Sequence, residues 1–414
     1  MKSKILIIGA GAQGIVLSGV LGKAKDVGSI TLGDIDLERA REVAEFVAPD
    51  KIEALRVDAS KVEEMTSLMK SGGYDLVVNA TLTDFNRAII QAAANAKIHY
   101  LDMASDEYLE PSTSETVQEE FLVEQLDWAR DFEDAGRMGV ILAGGDAGLS
   151  NIMCREAADE LDEIDYIGIK DFGAVECDVP VAMWSFATYL DDCATPAVYW
   201  EDGEFKYAEP FSGAETYYFP HPLNRTGKVV YHFHEEPITI PRFIGKPVKY
   251  CDFKLGEPDI DMWEFIINQL GLMDSEPMDI DGVQVSPREV LVRRLPRTLT
   301  PKECIELVRE KRLNSQMVVA VDVKGRKGDR SLHFKMWSDG PDCAKACSII
   351  PGANDVSWVT SVPAAILSLM IVRGQLKKTG VYPCETLDRE ERQIFFDGIR
   401  EWDLKVQKQV TELA

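Results

Sequence analysis

The chain has 414 residues, 45% of them hydrophobic, and a formal net charge of −25. That length exceeds what one core organises, so two domains are expected. So large a negative charge repels a phosphate backbone and an anionic lipid face, which argues against nucleic-acid and membrane-surface partners.

The amino terminus, "KILIIGAGAQGIVLSGVLGKA", reads as strand, glycine turn and helix, with no cleavage site of a secretory leader before it. Three more strand–helix alternations and a fifth strand follow: "SITLGDID" with "LERAREVAEFVA", "IEALRVDAS" with "KVEEMTSLMKSG", "YDLVVNAT" with "DFNRAIIQAAANA", and then "IHYLDMAS". Continuous apolar runs such as Ile5 to Ile8 suit strands buried on both faces, and the alternation predicts a doubly wound parallel sheet of Rossmann type. Between Asp106 and Asp134 the pattern breaks into eleven acidic residues and one basic, read as a solvated face. "MGVILAGG" and "LSNIMCREAADELD" then supply a sixth strand and its helix.

The glycine turn carries the first chemical signal. Gly9, Gly11 and Gly14 form G-x-G-x-x-G between a strand and a helix, the context a dinucleotide fingerprint requires. Ala12 and Gln13 belong to the same turn, whose backbone amides are predicted to face a pyrophosphate. Asp34, twenty residues after Gly14, ends the second strand beside Ile35 and suits a ribose 2′-hydroxyl. Its carboxylate favours NAD, while Arg39 and Arg41 keep NADP open. Asp58 with Ala59, and Asn79 with Ala80 and Thr81, end the third and fourth strands and face the same crevice.

From about residue 160 the texture becomes alternating. "IDYIGIKDFGA", "AVYWEDGEFKYA", "KVVYHFHEE" and "QMVVAVDVKGRKGDRSLHFKMWSDG" predict a half-solvated mixed sheet, with "WSFATYLDDC", "DIDMWEFIINQLGLM" and "PKECIELVREKR" as helices. The apolar run 358–372 is too short and too interrupted for a span and reads as a buried helix, kinked or opened by Pro363. Eight cysteines without a C-x-x-C suit reduced thiols in a cytoplasmic protein. The expected organisation is a dinucleotide-binding domain over 1–147, an α+β substrate and dimerisation domain over 148–353, and a helical segment, 354–414, that completes the first domain.

"KILIIGAGAQG", "GDIDLERA", "YDLVVNAT…FN", "HYLDMAS", "GGDAGLSNIM", "WSFATYLDDCATPAVYW", "HFHEEPITIPRF" and "RGQLKKTGVYP" together resemble the saccharopine dehydrogenase-like family, most closely its lysine 6-dehydrogenase branch. The resemblance spans nearly the whole chain. It implies a homodimer or larger homo-oligomer and hydride transfer between NAD(P) and an amine-bearing carbon of an amino acid, through an imine. Other members of the family reduce imines to saccharopine or to carboxylated polyamines. One departure falls beside the expected pocket: Asp146, Ala147 and Gly148 stand where relatives carry Pro-Gly after a neutral residue.

Against that frame, "YHFHEEPITIPR" offers a proton carrier. As an extended strand it would set Val230, His232 and His234 on one face. A catalytic zinc takes about three protein ligands, and His99, His221 and His333 stand in no spacing with this pair, so no metal is expected. His234, beside Glu235, is a candidate base for an amine proton or a structural histidine. Asp102 is a second proton relay candidate or a turn cap. Arg242, Asp171 and Glu176 are candidates for holding an amino-acid or amine substrate, with Lys170 and Arg225 as further carboxylate clamps. Three functions fit: an amine dehydrogenase, an imine reductase, and a non-catalytic dinucleotide sensor.

Overall fold

Ile5 and Ile7 pack to one side of the first strand and Leu6 and Ile8 to the other, and two helical layers cover them. The computed structural model describes residues 2–105 and 123–413. In chain order, β1 (Ser3–Ile8), α1 (Ala12–Lys23), β2 (Val27–Asp34), α2 (Leu37–Val47), β3 (Ile52–Arg56), α3 (Val62–Gly72), β4 (Leu76–Asn79), α4 (Asn86–Ala96) and β5 (His99–Leu101) build the first half. α5 (Ala129–Asp134), β6 (Met138–Ile141) and α6 (Leu149–Ala158) follow. The second half runs β7 (Glu163–Cys177), α7 (Phe186–Ala194), β8 (Ala197–Glu201), β9 (Glu204–Ala208), β10 (Glu215–Phe219), β11 (Arg225–Tyr231), α8 (Glu236–Phe243), β12 (Tyr250–Gly256) and α9 (Ile260–Glu264). Then come β13 (Met278–Ile280), β14 (Val283–Val285), α10 (Pro287–Arg294), α11 (Pro301–Arg309), β15 (Leu313–Lys327), β16 (Arg330–Asp339), α12 (Cys343–Ile349), α13 (Asp355–Val372), β17 (Gly380–Pro383), α14 (Arg389–Arg400) and β18 (Lys405–Leu413).

The first sheet has the order β17-β6-β5-β4-β1-β2-β3, and every neighbouring pair is parallel. The chain reverses direction of travel between β1 and β4, so a crevice opens at their carboxyl ends. The second sheet runs β10-β11-β12-β7-β15-β16-β18, with the β8–β9 hairpin on β12. It is mixed: β12 is parallel to β7, while β15 is antiparallel to it. The Rossmann-type parallel sheet with a second mixed sheet is the architecture expected. Helix starts follow local chemistry: Asp36, Thr300, Asn354 and Asp388 each cap a helix through their side chains.

Three expectations are corrected. The segment 354–414 is not purely helical: β17 adds the seventh parallel strand to the first sheet, and β18 adds an antiparallel edge to the second. Four-residue "GVYP" is too short to show periodicity. Of the two places expected for Pro363, a kink or the first turn, the first turn is excluded, since it lies mid-way along α13. The helix is apolar enough to cross a membrane, yet 83% of its most apolar window is buried inside the protein, where it packs on α1. The acidic stretch lies largely outside the described residues. Its described end is not fully solvated, since Glu124 is buried and pairs with Arg87 at 3.4 Å.

Candidate functional site

The carboxyl ends of the parallel strands face the β7–β12 face of the second sheet across a cavity of about 1020 Å³. That is the size of a large ligand site. Gly9, Gly11, Ala12, Gln13, Asp34, Ile35, Asp58, Ala59, Asn79, Ala80 and Thr81 all line it; Gly14 sits one layer behind.

The three glycines divide the work of the turn. Gly9 has φ +110°, and a Cβ there would lie 2.3 Å from the Ala80 carbonyl oxygen. A Cβ on Gly14 would lie 2.0 Å from the Gly9 carbonyl oxygen. Both are barred by the protein's own backbone. Gly11 is different: nothing lies within 4 Å of the position its Cβ would take, so its bareness leaves space beside the start of α1. No side chain caps that helix, and its first amides face the space. This is the fit a diphosphate requires.

Asp34 accepts hydrogen bonds from the Ala10 and Asp36 amides at 2.7 and 2.9 Å, which fixes its carboxylate at the crevice rim. Arg39 turns back to the Ala10 carbonyl at 2.9 Å, while Arg41 pairs with Glu38. Ile35 is 55% exposed, an apolar side chain open at the rim. Asp58 closes its own turn through Ser60. Asn79 is saturated by Asn86, Tyr100 and Thr81, so it shapes the β4 turn.

The other end of the cavity holds a buried cluster of acids around one histidine. β11 ends at Tyr231 and α8 begins at Glu236, so residues 232–235 are a bend and not the strand expected. That bend turns His234 Nδ1 onto Glu236 at 2.5 Å and Glu235 at 3.1 Å. The ring stacks on Phe253 at 3.9 Å. Glu235 is held by the Ser105 amide at 2.7 Å and Glu236 by the Ser150 hydroxyl at 2.7 Å. Burial alone would strip the proton from His234; Glu236, Glu235 and Asp146 outweigh it and hold its pKa well above the ordinary imidazole value. His234 is therefore an imidazolium at neutral pH. Asp146 is pushed up to about 7, chiefly by burial against the pull of His234. Asp171, also buried and hydrogen-bonded to Asp146, is held well above the ordinary carboxylate value, chiefly by burial. Its Oδ1 has no partner.

His234, Glu235 and Glu236 also offer three ligand atoms within 4.8 Å of one another, a grouping that the His232–His234 spacing did not suggest. His232 lies apart, its ring 6.3 Å from His234, and burial pushes its pKa down to about 3.

Asp102 lines the same cavity but works as a hub. It accepts from the Leu142 amide at 2.8 Å and from Gln125 at 2.9 Å, and burial raises it to about 7. The remaining candidates separate. Asp171 is in the cavity wall. Glu176 is not, because pleat alternation turns it to the opposite, exposed face of β7. Arg242 sits on α8 over the Phe205 ring at 4.9 Å, outside the cavity lining. Lys170, also on the far face of β7, is buried against Tyr166 and Asp252. Arg225 lies over Phe172. Among the described residues, no lysine or arginine lines the cavity. Sequence reasoning missed Glu236, because the segment was read as one strand, and missed the partnership with Asp146, because 88 residues separate it from His234 in the chain.

A parallel sheet with this glycine turn, facing a buried proton carrier, defines a nicotinamide-dinucleotide-dependent oxidoreductase. The chain belongs to the saccharopine dehydrogenase family: residues 5–140 match the family model described as the saccharopine dehydrogenase NADP binding domain, and residues 144–399 match that of the C-terminal domain. It is 24% identical over 398 residues to a carboxyaminopropylagmatine dehydrogenase of Synechocystis sp., covering 93% of each chain. It is 28% identical over 408 residues to a carboxynorspermidine synthase of Vibrio alginolyticus, covering 93% of this chain and 92% of that one. Among solved structures, saccharopine dehydrogenase (L-Glu forming) of Saccharomyces cerevisiae superposes with a TM-score of 0.67 at 12% identity, over 99% of this chain and 100% of that chain.

Proposed function

We propose that this protein reduces the carbon–nitrogen double bond formed between a primary amine of a diamine or polyamine and a carbonyl compound carrying a carboxylate. The amine and carbonyl condense with loss of water; the imine carbon receives a hydride, its nitrogen a proton, and the product is a secondary amine. The observation that carries the reading is the position of His234, whose Nδ1 lies 2.5 Å from Glu236 and 3.1 Å from Glu235, surroundings that raise its pKa and favour the protonated ring. A group that already holds its proton is suited to give one, which favours reduction over the base role expected from sequence. A bound nicotinamide supplies the hydride.

The substrate class follows from the walls. An acid-rich cavity without a lining lysine or arginine, among the described residues, favours a cation and offers no fork for a second amino-acid arm. Lys170, Arg225 and Arg242, the expected clamps, all lie elsewhere. This weighs against a saccharopine-type product, which carries more carboxylates than the product proposed here. The names of the two curated relatives, a carboxyaminopropylagmatine dehydrogenase and a carboxynorspermidine synthase, point the same way. For the cofactor we favour NAD over NADP, because the fixed Asp34 carboxylate repels a 2′-phosphate. Eight unpaired cysteines suit a reducing, cytoplasmic setting.

The test is absorbance at 340 nm with NADH or NADPH, a panel of diamines, lysine and glutamate as amines, and a short aldehyde acid as carbonyl. The reading predicts that cofactor oxidation needs both components and is fastest with diamines. Faster reduction of NAD by lysine alone would return the assignment to lysine 6-dehydrogenase.

A further inference from the structure

The cavity continues past His234 into a region that proton and hydride transfer do not use. Phe186 and Tyr189 on α7 and Trp263 on α9 meet there, with Trp184 at the edge. The Phe186 and Trp263 rings lie 5.7 Å apart at 52°, Tyr189 and Trp263 6.1 Å apart at 76°, and Trp184 and Tyr189 6.1 Å apart at 75°. Tilted and edge-on rings of this kind make the walls of a box instead of a stack. Its floor is Glu257, which accepts hydrogen bonds from the Tyr189 hydroxyl and the Trp263 indole. Both donors come from the box itself, so the carboxylate is held in place by the aromatic walls. Asp259 lines the cavity beside it. α9 runs directly into a π-helical turn, Phe265–Gln269, a local irregularity often found at functional sites.

Two independent observations point to a cation here. The orphaned Asp171 Oδ1, on a side chain only 8% exposed, lies on the wall between His234 and the box: Asp171 is the register partner of Leu255, two residues before Glu257. The second is the lack of any lysine or arginine in the lining, among the described residues, to neutralise these acids. From His234 the rings of His232, Tyr189 and Trp263 follow at 6.3, 6.2 and 6.1 Å, so a run of neighbouring rings leads from the proton donor to the box.

Building on the function proposed above, we propose that Phe186, Tyr189, Trp263 and Glu257 form a distal cation subsite that receives the far ammonium or guanidinium group of the amine substrate. The rings supply their π faces and Glu257 the counter-charge. The subsite selects for a second positive charge at a set distance from the amine that reacts, and so sets substrate length.

Calorimetry on the NADH-saturated full chain with 1,4-diaminobutane and n-butylamine isolates that second charge. Even an exposed cation–π contact is worth up to about 1 kcal/mol, about five-fold in affinity, and a desolvated one is worth more. The expected result is that the wild type prefers the diamine by about five-fold or more. Glu257→Gln and Trp263→Leu should each bring the preference below that level while NADH affinity stays within about two-fold. Tyr189→Phe, which removes a single hydroxyl, replaces either variant that loses NADH binding. A wild-type preference below that level, or one that persists in NADH-competent variants, overturns the subsite. Turnover with an amine and an aldehyde acid, read in parallel, keeps the two proposals apart. Turnover without diamine preference removes the subsite alone, and absence of turnover with every pair removes the imine-reductase reading.

Discussion

Gly11 and His234 show what single residues contribute and how far each was legible. The glycine turn is local: three positions within six residues, each explained by a backbone atom or by empty space nearby. Its reading from sequence therefore needed no tertiary information. A Gly11→Val substitution places its side chain where nothing lies within 4 Å, so the fold should survive and the diphosphate space should fill. NADH affinity is expected to fall by about 100-fold or more with an unchanged circular dichroism spectrum, given the close approach the fingerprint requires; retained affinity would remove the turn from the cofactor site. His234 was legible as a proton carrier but not as an acid, because Asp146 reaches it from the other domain and Glu236 through an unforeseen bend. Its pKa is raised, so the donor form is full at low pH and is lost as pH rises through the raised value. Reductive turnover should therefore hold through neutrality and decline in the alkaline range. His234→Gln should lower turnover by about 10²- to 10⁴-fold and abolish that decline, with NADH affinity little changed. An unchanged pH profile would assign the proton to another group.

Among elements, the boundary between β11 and α8 matters most. Read as one strand, "YHFHEEPITIPR" spreads its charges over two faces; folded as strand, bend and helix, it collects three of them on one point. Pro237 in the first turn of α8 was the available signal, since proline suits that position. The short strands escaped for another reason: β17 carries no period and is identified only by its partner β6. The junction between β5 and β6 carries a stability prediction. Asp102 keeps its proton to about pH 7 in the folded state, against an ordinary carboxylate value of 3.8. The folded chain thus binds more protons between those values, and this contribution to stability, complete at low pH, is lost as pH rises through about 7. Asparagine does not titrate. Between pH 5 and 8, urea unfolding of Asp102→Asn should therefore gain on the wild type by on the order of 2–3 kcal/mol. Parallel pH dependences in the two proteins would show that Asp102 is already ionised.

At the scale of the whole molecule, the two halves read from sequence are not two independent cores. One buried cluster runs from Ile5 and Leu32 through Trp358 and Val362 to Val321 and Phe253, linking both sheets through α13. A single urea transition is expected, with cofactor-site and second-domain probes changing together; two separated transitions would show that the halves fold separately. The doubly wound half was legible because each strand–helix unit is built from neighbours in the chain. The catalytic cavity was less so, because it exists only where the halves meet. The most direct test of the account is isotope transfer. NADH carrying deuterium in both C4 positions is mixed with the protein, a diamine and an aldehyde acid, and the secondary amine is analysed by mass spectrometry. The account predicts one deuterium on the carbon newly bonded to nitrogen; a secondary amine formed without label, or cofactor oxidised without any such amine, would contradict it.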